Sequence, residues 1–489
     1  MSTLDPRTPI IVGAAQINDR EYGSEPIDLM TRSAEAALGD AASTALRSHI
    51  DAVWVVWGVW PYADPGRLVA DRIGATTART GVTSMGGNQV YDLVTDTALR
   101  IQRGELDVAV LCGAETLRTR RSDRARGERT EYLSESDGAA PDEVFGTDQP
   151  LTSDTERAFG LETVARFYAM AETALRHRLG EGPVEHRQRI AALWARASAV
   201  AAANPDAWSR RAVSAEEIAT ESASNRPVAA PYLKLMTSNL NVDQGGAIVM
   251  TSVAAAQAAG VPHDRWIFPW AGVGAADHWY PTNRWAFDES PAMRISGMRT
   301  LELAGITVDD CDLIDLYSCF PVAVQVAQRE LGVDPSRAFT ITGGLTFAAG
   351  PLNCYCLLPL TRAVALLREA PEQRALLTGN GGSFTKHSSL ILAAEPTGDG
   401  FRTDDVQSAV DALPSRPTPS ERARDTTLET YTVTSDREMQ SEMAIMAGLD
   451  ADGRRHWATS TDPAMMAELL ASDHCGRALH LDGDVGVLA

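Results

Sequence analysis

No part of this 489-residue chain runs apolar for about 18 residues, so a membrane-spanning helix is not expected. The opening stretch, Met1 to Arg7, lacks the apolar core a signal peptide needs, and the cytoplasm is the expected compartment. Cysteine is scarce: six, at 112, 311, 319, 354, 356 and 475, with no CxxC pair and no histidine at zinc-ligand spacing. No metal site is expected from that pattern. Cys112 and Cys311 lie in or beside apolar strands, where a cysteine packs as a small hydrophobe. Basic residues are in deficit: 44 Lys and Arg against 65 Asp and Glu leave a net charge of −21. That excludes nucleic-acid binding as the main activity, because a phosphate backbone needs a basic face. A small anionic ligand needs only a local cluster. Arg118, Arg120, Arg121, Arg124, Arg126 and Arg129 crowd one stretch, which reads either as such a cluster or as a solvated loop.

What is present is a duplication about 260 residues apart. The first copy has an apolar run, Pro9 to Ala15, and a helical stretch, Ile27 to Leu38. A strand follows, Ile50 to Val56, then the pair Gly86-Gly87 opening a helix Tyr91 to Arg103, and a closing strand, Asp107 to Cys112. The second has Ile267 to Gly274, a helix Pro291 to Gly305 and a strand Cys311 to Tyr317. Its pair is Gly343-Gly344, with a helix running to about Arg368 and a strand Ala375 to Leu377. The strands are continuous apolar runs, as in a sheet covered on both faces, and the helices carry apolar residues at three- and four-residue spacing. A layered α/β core of two similar halves follows.

The spacing sets boundaries at 1–265 for the first half, with a helical insertion at about 115–245, and 266–395 for the second. The insertion helices are expected at Leu161 to Arg178, His186 to Asn204 and Ala215 to Ser222. Residues 396–424, rich in Pro, Gly, Asp and Ser, suit a linker. Beyond them, 425–489 holds short strand candidates such as Glu429 to Thr434 and Met443 to Gly448. These fit a small β-barrel of the oligonucleotide/oligosaccharide-binding (OB) type. In so acidic a chain that shape does not imply nucleic acid.

Five segments, in order, resemble the thiolase superfamily: Gly86 to Glu115, Asn241 to Ser252, Asp312 to Pro321, Gly343 to Pro351 and Gly379 to His387. With the trailing β domain the chain looks like a thiolase-like protein of type 1, a subgroup often labelled acetyl-CoA acetyltransferase. The resemblance implies a duplicated thiolase fold of α/β/α/β/α layers, coenzyme A or an acyl-CoA as ligand with no permanent cofactor, and a setting in lipid metabolism. Related thiolases pair through the core sheet, so a homodimer, or a protein partner held by the added domain, is also implied.

A thiolase uses four catalytic groups, and this sequence departs from all four. The nucleophilic cysteine at the helix start falls on Gly87, or on Gly86 if the register slips by one. The histidine of the Gly-His-Pro turn is replaced in Ala349-Gly350-Pro351, and the Cys-x-Gly cysteine in Gly379-Asn380-Gly381. The water-orienting box reads Tyr317-Ser318-Cys319-Phe320, which keeps the phenylalanine but puts Ser318 in the polar pair. Ordinary thiolase chemistry is therefore not expected.

The candidates left are His387, Tyr317, Cys319 and Asn380. His387 reads as an acid/base or as a structural cap, and Tyr317 as a proton donor or a packing residue. Cys319 reads as a displaced nucleophile or as filler in the alanine slot of its box. Asn380 and Asn353 are amide donors for a thioester oxygen. By analogy with the family's loop domain, Arg187, Arg189, Arg196, Arg210 and Arg211 are candidates for the CoA phosphates; the same residues also suit a solvated helix face. Three readings stand. One is acyl-CoA binding without thiolysis, and another a retro-aldol C–C lyase on a CoA ester. The last is a non-catalytic scaffold acting through the C-terminal domain.

Overall fold

The structure is a computed structural model and describes residues 4–488. Met1–Thr3 of the polar opening stretch and Ala489 of the terminal domain lie outside the described residues.

Two sheets repeat one plan. In the first, the strands run Pro9–Asn18, Asp243–Ser252, Val108–Thr116, Ala52–Val55 across the sheet, antiparallel, antiparallel, then parallel. In the second, Phe268–Ala276, Lys386–Ala393, Arg374–Gly381 and Leu313–Asp315 repeat that order and those senses. Every residue of Val108–Thr116 is buried, as the unbroken apolar runs require. Helices Gln89–Arg103 and Leu357–Glu369 fill the layer between the sheets. Pro26–Asp40 covers the outer face of the first sheet and Pro291–Ala304 that of the second. Both outer helices start on a proline, whose missing N–H costs nothing in a first turn. Gly104, at φ 73°, ends the Gln89–Arg103 helix in the left-handed conformation that spares glycine a Cβ clash.

The first sheet continues through Arg79–Thr83 to a short strand of the insertion, Glu143–Phe145, which pairs with it parallel. Glu143–Phe145 is thereby the outermost strand of this sheet. Arg100 grips Glu143 with two hydrogen bonds of 2.9 and 2.7 Å, and Phe145 meets Trp54 edge-on at 5.2 Å. The insertion also supplies the long helices Val164–Leu179 and Pro183–Ala203, with a shorter third at Ala215–Ala219.

The stretch 396–424 is not a free linker. Phe401 is buried, Arg402 bridges to Ala271, and the short helix Gln407–Asp411 is held by a 2.8 Å bond from Ala276 N to Gln407 Oε1. Its apolar side chains find the second sheet, so composition alone misjudges it.

The terminal domain is a closed five-strand barrel. Asp425–Ser435, Ser441–Leu449, Arg455–Ser460, Val485–Leu488 and Ala478–Asp482 follow one another around it, and the last returns to the first. A helix absent from the sequence reading, Pro463–Ala471, sends Met465, Met466 and Leu469 into the barrel core. The barrel docks by main-chain pairing as well as packing, since Ala230 N donates to Val433 O at 2.9 Å and Thr434 pairs with Ala229. Thr430 Oγ1 adds a bond to Met170 O in the insertion helix Val164–Leu179. Among the described residues no helix is long and apolar enough to cross a membrane.

Candidate active site

The turn before the central helix Gln89–Arg103 is built from Met85-Gly86-Gly87-Asn88. Gly86 sits at φ 148°, and its N–H donates to Asn353 Oδ1 at 2.9 Å. The other end of Asn353 is fixed by a 3.0 Å bond to Trp57 O. The helix opens onto a cavity of about 370 Å³ lined by Gly86, Gly87, Tyr317, Cys319, Asn353 and Asn380, with a mostly apolar wall. No charged residue lines it.

At Gly87, where the resemblance puts the nucleophile, the site leaves no room for a side chain. A Cβ would come within 2.4 Å of Tyr317 Oη and 2.6 Å of Asn380 O. Tyr317 thus fills the space a cysteine would use. Its hydroxyl makes no hydrogen bond among the described residues, while its N–H donates to Thr378 Oγ1 at 3.0 Å. Burial, together with the neighbouring Cys319 and Cys356, drives its pKa well above 10, so the phenol is a neutral donor. Gly379 is closed as well: a Cβ would meet Ser388 Oγ at 2.8 Å and Asn88 Cα at 2.9 Å. At Gly350 the nearest obstacle, Leu345, lies at 3.2 Å. Ser318 Oγ is turned into the structure, accepting from Leu345 N at 3.3 Å.

Of the four catalytic candidates, the structure brings three to the cavity. Cys319 lines it, but burial pushes its thiol up to about 12, so no thiolate is available at neutral pH. Asn380 donates through Nδ2 to Tyr168 Oη at 3.0 Å. His387 is elsewhere. Its Nε2 lies 2.9 Å from Ser290 Oγ, 3.0 Å from Phe384 O and 3.5 Å from Asp277, in a buried knot behind the cavity wall. Burial alone would raise the Asp277 carboxyl. The hydrogen bond and charge of His387, with Arg284 and Ser290, outweigh it and hold the pKa below its ordinary value.

The five arginine candidates are not brought together, and none lines the cavity. Arg187 pairs with Glu221 at 2.9 Å, Arg189 with Glu181 at 2.7 Å, and Arg211 with Glu217 at 2.6 Å. Arg196 caps the carbonyls of Pro335 and Ser336, and Arg210 is exposed. The 118–129 stretch begins as a helix, Leu117–Ala125. There Arg118 is paired with Asp243 and Arg126 with Asp123 and Glu128, so it is no common anion site.

Two site residues escaped sequence reasoning. Tyr168 of the insertion helix lines the cavity, donates to Gly382 O at 2.9 Å, accepts from Asn380 Nδ2, and stacks on Phe320 at 4.6 Å. Nothing in its local sequence sets it apart from any mid-helix tyrosine. Lys386 sends its ammonium to the Met85 carbonyl, fixing the glycine turn from below. Burial lowers its pKa, opposed by Asp92.

Three carboxyls buried in the core are displaced upward, chiefly by burial: Asp92 to about 7, Asp315 to about 6, Glu115 to about 8. In the unfolded chain such groups ionise near pH 4. Between about pH 4 and 8 the folded state therefore binds more protons, so their contribution is full below about pH 4 and is lost as pH rises. The expected result is a fall in unfolding free energy from about pH 5 to 8. Glu115→Gln should shrink that fall by more than about 1 kcal/mol. Urea denaturation at the two pH values checks it, and an undiminished fall would remove Glu115 from the account.

The layers, the glycine turn at a central helix and the cavity between two related halves define a thiolase-fold protein. Residues 405–485 match the thiolase-like protein type 1 additional C-terminal domain. A monomeric SCP2-thiolase-like protein type 1 from Mycobacterium smegmatis is 31% identical over 100% of both chains, with a TM-score of 0.86. The chain belongs to that thiolase-like protein type 1 family. Human mitochondrial 3-ketoacyl-CoA thiolase shares the fold at 16% identity, covering 79% of this chain and 99% of its own, with a TM-score of 0.59. The Ltp2-ChsH2(DUF35) aldolase does so at 20% identity, covering 79% and 98%, with a TM-score of 0.60. None of the curated proteins matches the chain.

Proposed function

We propose that this protein binds an acyl-CoA thioester with its acyl group in the cavity at the Gln89–Arg103 helix, and does not carry out thiolysis. The observation that carries this reading is the Tyr317 hydroxyl, unbonded among the described residues, in the space a nucleophile would need. The N–H groups of Gly87 and Asn88 have no partner among the described residues, and with the phenol they can receive a thioester oxygen. The uncharged, mostly apolar wall suits an acyl chain.

A C–C lyase of retro-aldol type is the second reading, favoured by the same neutral phenol. In that step a base takes the β-hydroxyl proton and the Cα–Cβ bond breaks. The thioester enolate is then protonated at Cα, and Tyr317 could hydrogen-bond its oxygen. Tyr168, Tyr317 and Cys319, the ionisable groups of the lining, are all held protonated by burial, so none is the base and the binding reading takes precedence.

Calorimetric titration with acetyl-CoA, a longer acyl-CoA and free CoA tests the proposal. Esters should bind more tightly than free CoA, and Tyr317→Phe should reduce that preference by about five- to tenfold, one hydrogen bond of about 1 kcal/mol. Equal or absent binding of all three would overturn it.

Two further expectations belong with this reading. A monomer is supported by the monomeric relative. The OB likeness of the barrel rests on its strand order and on the helix Pro463–Ala471 between its third and fourth strands.

A further inference from the structure

We propose that the seam between the insertion helix Val164–Leu179 and the barrel holds a divalent metal ion of the zinc type, on His177 Nδ1, Asp473 Oδ2 and Cys475 Sγ. These atoms all lie within 4.8 Å of one another. His177 stands in the last turn of the insertion helix, and Asp473 and Cys475 flank His474 in the turn after the barrel helix Pro463–Ala471. One nitrogen, one carboxylate oxygen and one sulfur form a zinc-like donor set, where magnesium or calcium takes oxygen alone. Cys475 is half-buried, whereas the other five cysteines are buried.

The turn is held in place independently of any ion. Tyr431 Oη donates to Ser472 O at 2.8 Å, and Gly476 N to Leu428 O at 2.8 Å. Asp473 divides its two oxygens. Oδ1 accepts from Cys475 N and from Arg176 Nη2, each at 3.4 Å, while Oδ2 lies 2.5 Å from His177 Nδ1. The Oδ1 contacts orient the carboxylate so that Oδ2 faces the other two donors, as outer-shell partners of metal ligands do. Tetrahedral zinc with metal–ligand distances of about 2.0–2.2 Å would set that oxygen and nitrogen about 3.3 Å apart. The His177 side chain, 49% exposed, has room to swing by the difference. Binding releases the Cys475 thiol proton to solvent and replaces the His177–Asp473 hydrogen bond, with water in the fourth position. Charges balance: a carboxylate and a thiolate offset the divalent ion, and the Arg176 guanidinium stays anchored on Tyr431 Oη at 2.8 Å. The ion would tie the barrel to the helix that carries Tyr168 into the cavity.

The full-length, chelator-treated protein should be titrated with Zn²⁺ and with Co²⁺. Expected are one ion per chain, a thiolate-to-cobalt charge-transfer band in the near ultraviolet, and a raised unfolding temperature with zinc. Cys475→Ser should abolish the band and weaken zinc at least about tenfold, the smallest loss seen even for outer-shell changes. His177→Gln, at an exposed position, should weaken zinc comparably with an unchanged far-ultraviolet spectrum. No charge-transfer band in the wild type, or a band that survives Cys475→Ser, overturns the proposal.

Discussion

Arg455→Ala should cost the folded chain about 3–5 kcal/mol, the usual loss when one member of a buried ion pair is removed. The Arg455 side chain is fully buried at the seam between barrel and core. Its Nε and Nη2 each donate to Glu429 at 2.7 Å, and Nη1 donates to Arg284 O at 2.7 Å and Thr282 O at 3.2 Å. Its guanidinium also lies 4.5 Å from the Phe287 ring centre. Alanine would leave a nearly buried carboxylate and the carbonyls of Pro281, Thr282 and Arg284 without their donor, and a void against the ring. Arg416, 3.7 Å from the same carboxylate, can recover only part of this. Arg455→Lys keeps the charge but not the planar fork, so it should fall in between. Arg455→Met with Glu429→Leu should return most of the stability, because the desolvation cost of both charges disappears together. Urea denaturation of the three variants decides the matter. A loss below about 1 kcal/mol in the alanine variant would mean that the seam is held mainly by packing.

Gly87→Cys should not restore a thiolase. The added Cβ would sit 2.4 Å from Tyr317 Oη and 2.6 Å from Asn380 O, and one of those obstacles is main chain. Overpacking of this kind costs about 1–3 kcal/mol, and the sulfur would have to displace the tyrosine before it met any ester. The expected outcome is a destabilised protein that acetyl-CoA does not acylate, read by intact mass after incubation. Gly87→Cys combined with Tyr317→Ala should recover part of the stability, since it clears the aromatic obstacle and leaves the Asn380 carbonyl. A stable, acylated single variant would show that Tyr317 does not fill the nucleophile's space.

His387 and Lys386 show why part of the site was legible and part was not. Both lie in the motif Gly379 to His387, whose glycines place it beside the active-site loop, but only His387 stands out there as a candidate. Which of the two serves that loop depends on strand direction. On Lys386–Ala393 successive side chains face opposite ways, so the lysine reaches the Met85 carbonyl and the histidine turns to Ser290 and Asp277. A one-residue change of register would exchange them, and register is set by pairing with Arg374–Gly381 and Phe268–Ala276, far away in sequence.

The duplicated halves, the glycine turn before the central helix and the barrel strands were legible in the sequence alone, while the departures at Gly87, Gly350 and Gly379 are what its resemblance to thiolases implies. Those features are local: apolar runs, helical spacing and tight turns are written in neighbouring residues. The tertiary structure alone shows that Tyr317 fills the space a side chain at Gly87 would need, that Tyr168 reaches the cavity, that Arg187, Arg189, Arg196 and Arg211 are spent on carboxylates or carbonyls, and that His177 meets Asp473 across 296 residues. A side chain's partner is fixed by which elements pack together, and that packing is a sum over the whole chain which no short window of sequence contains.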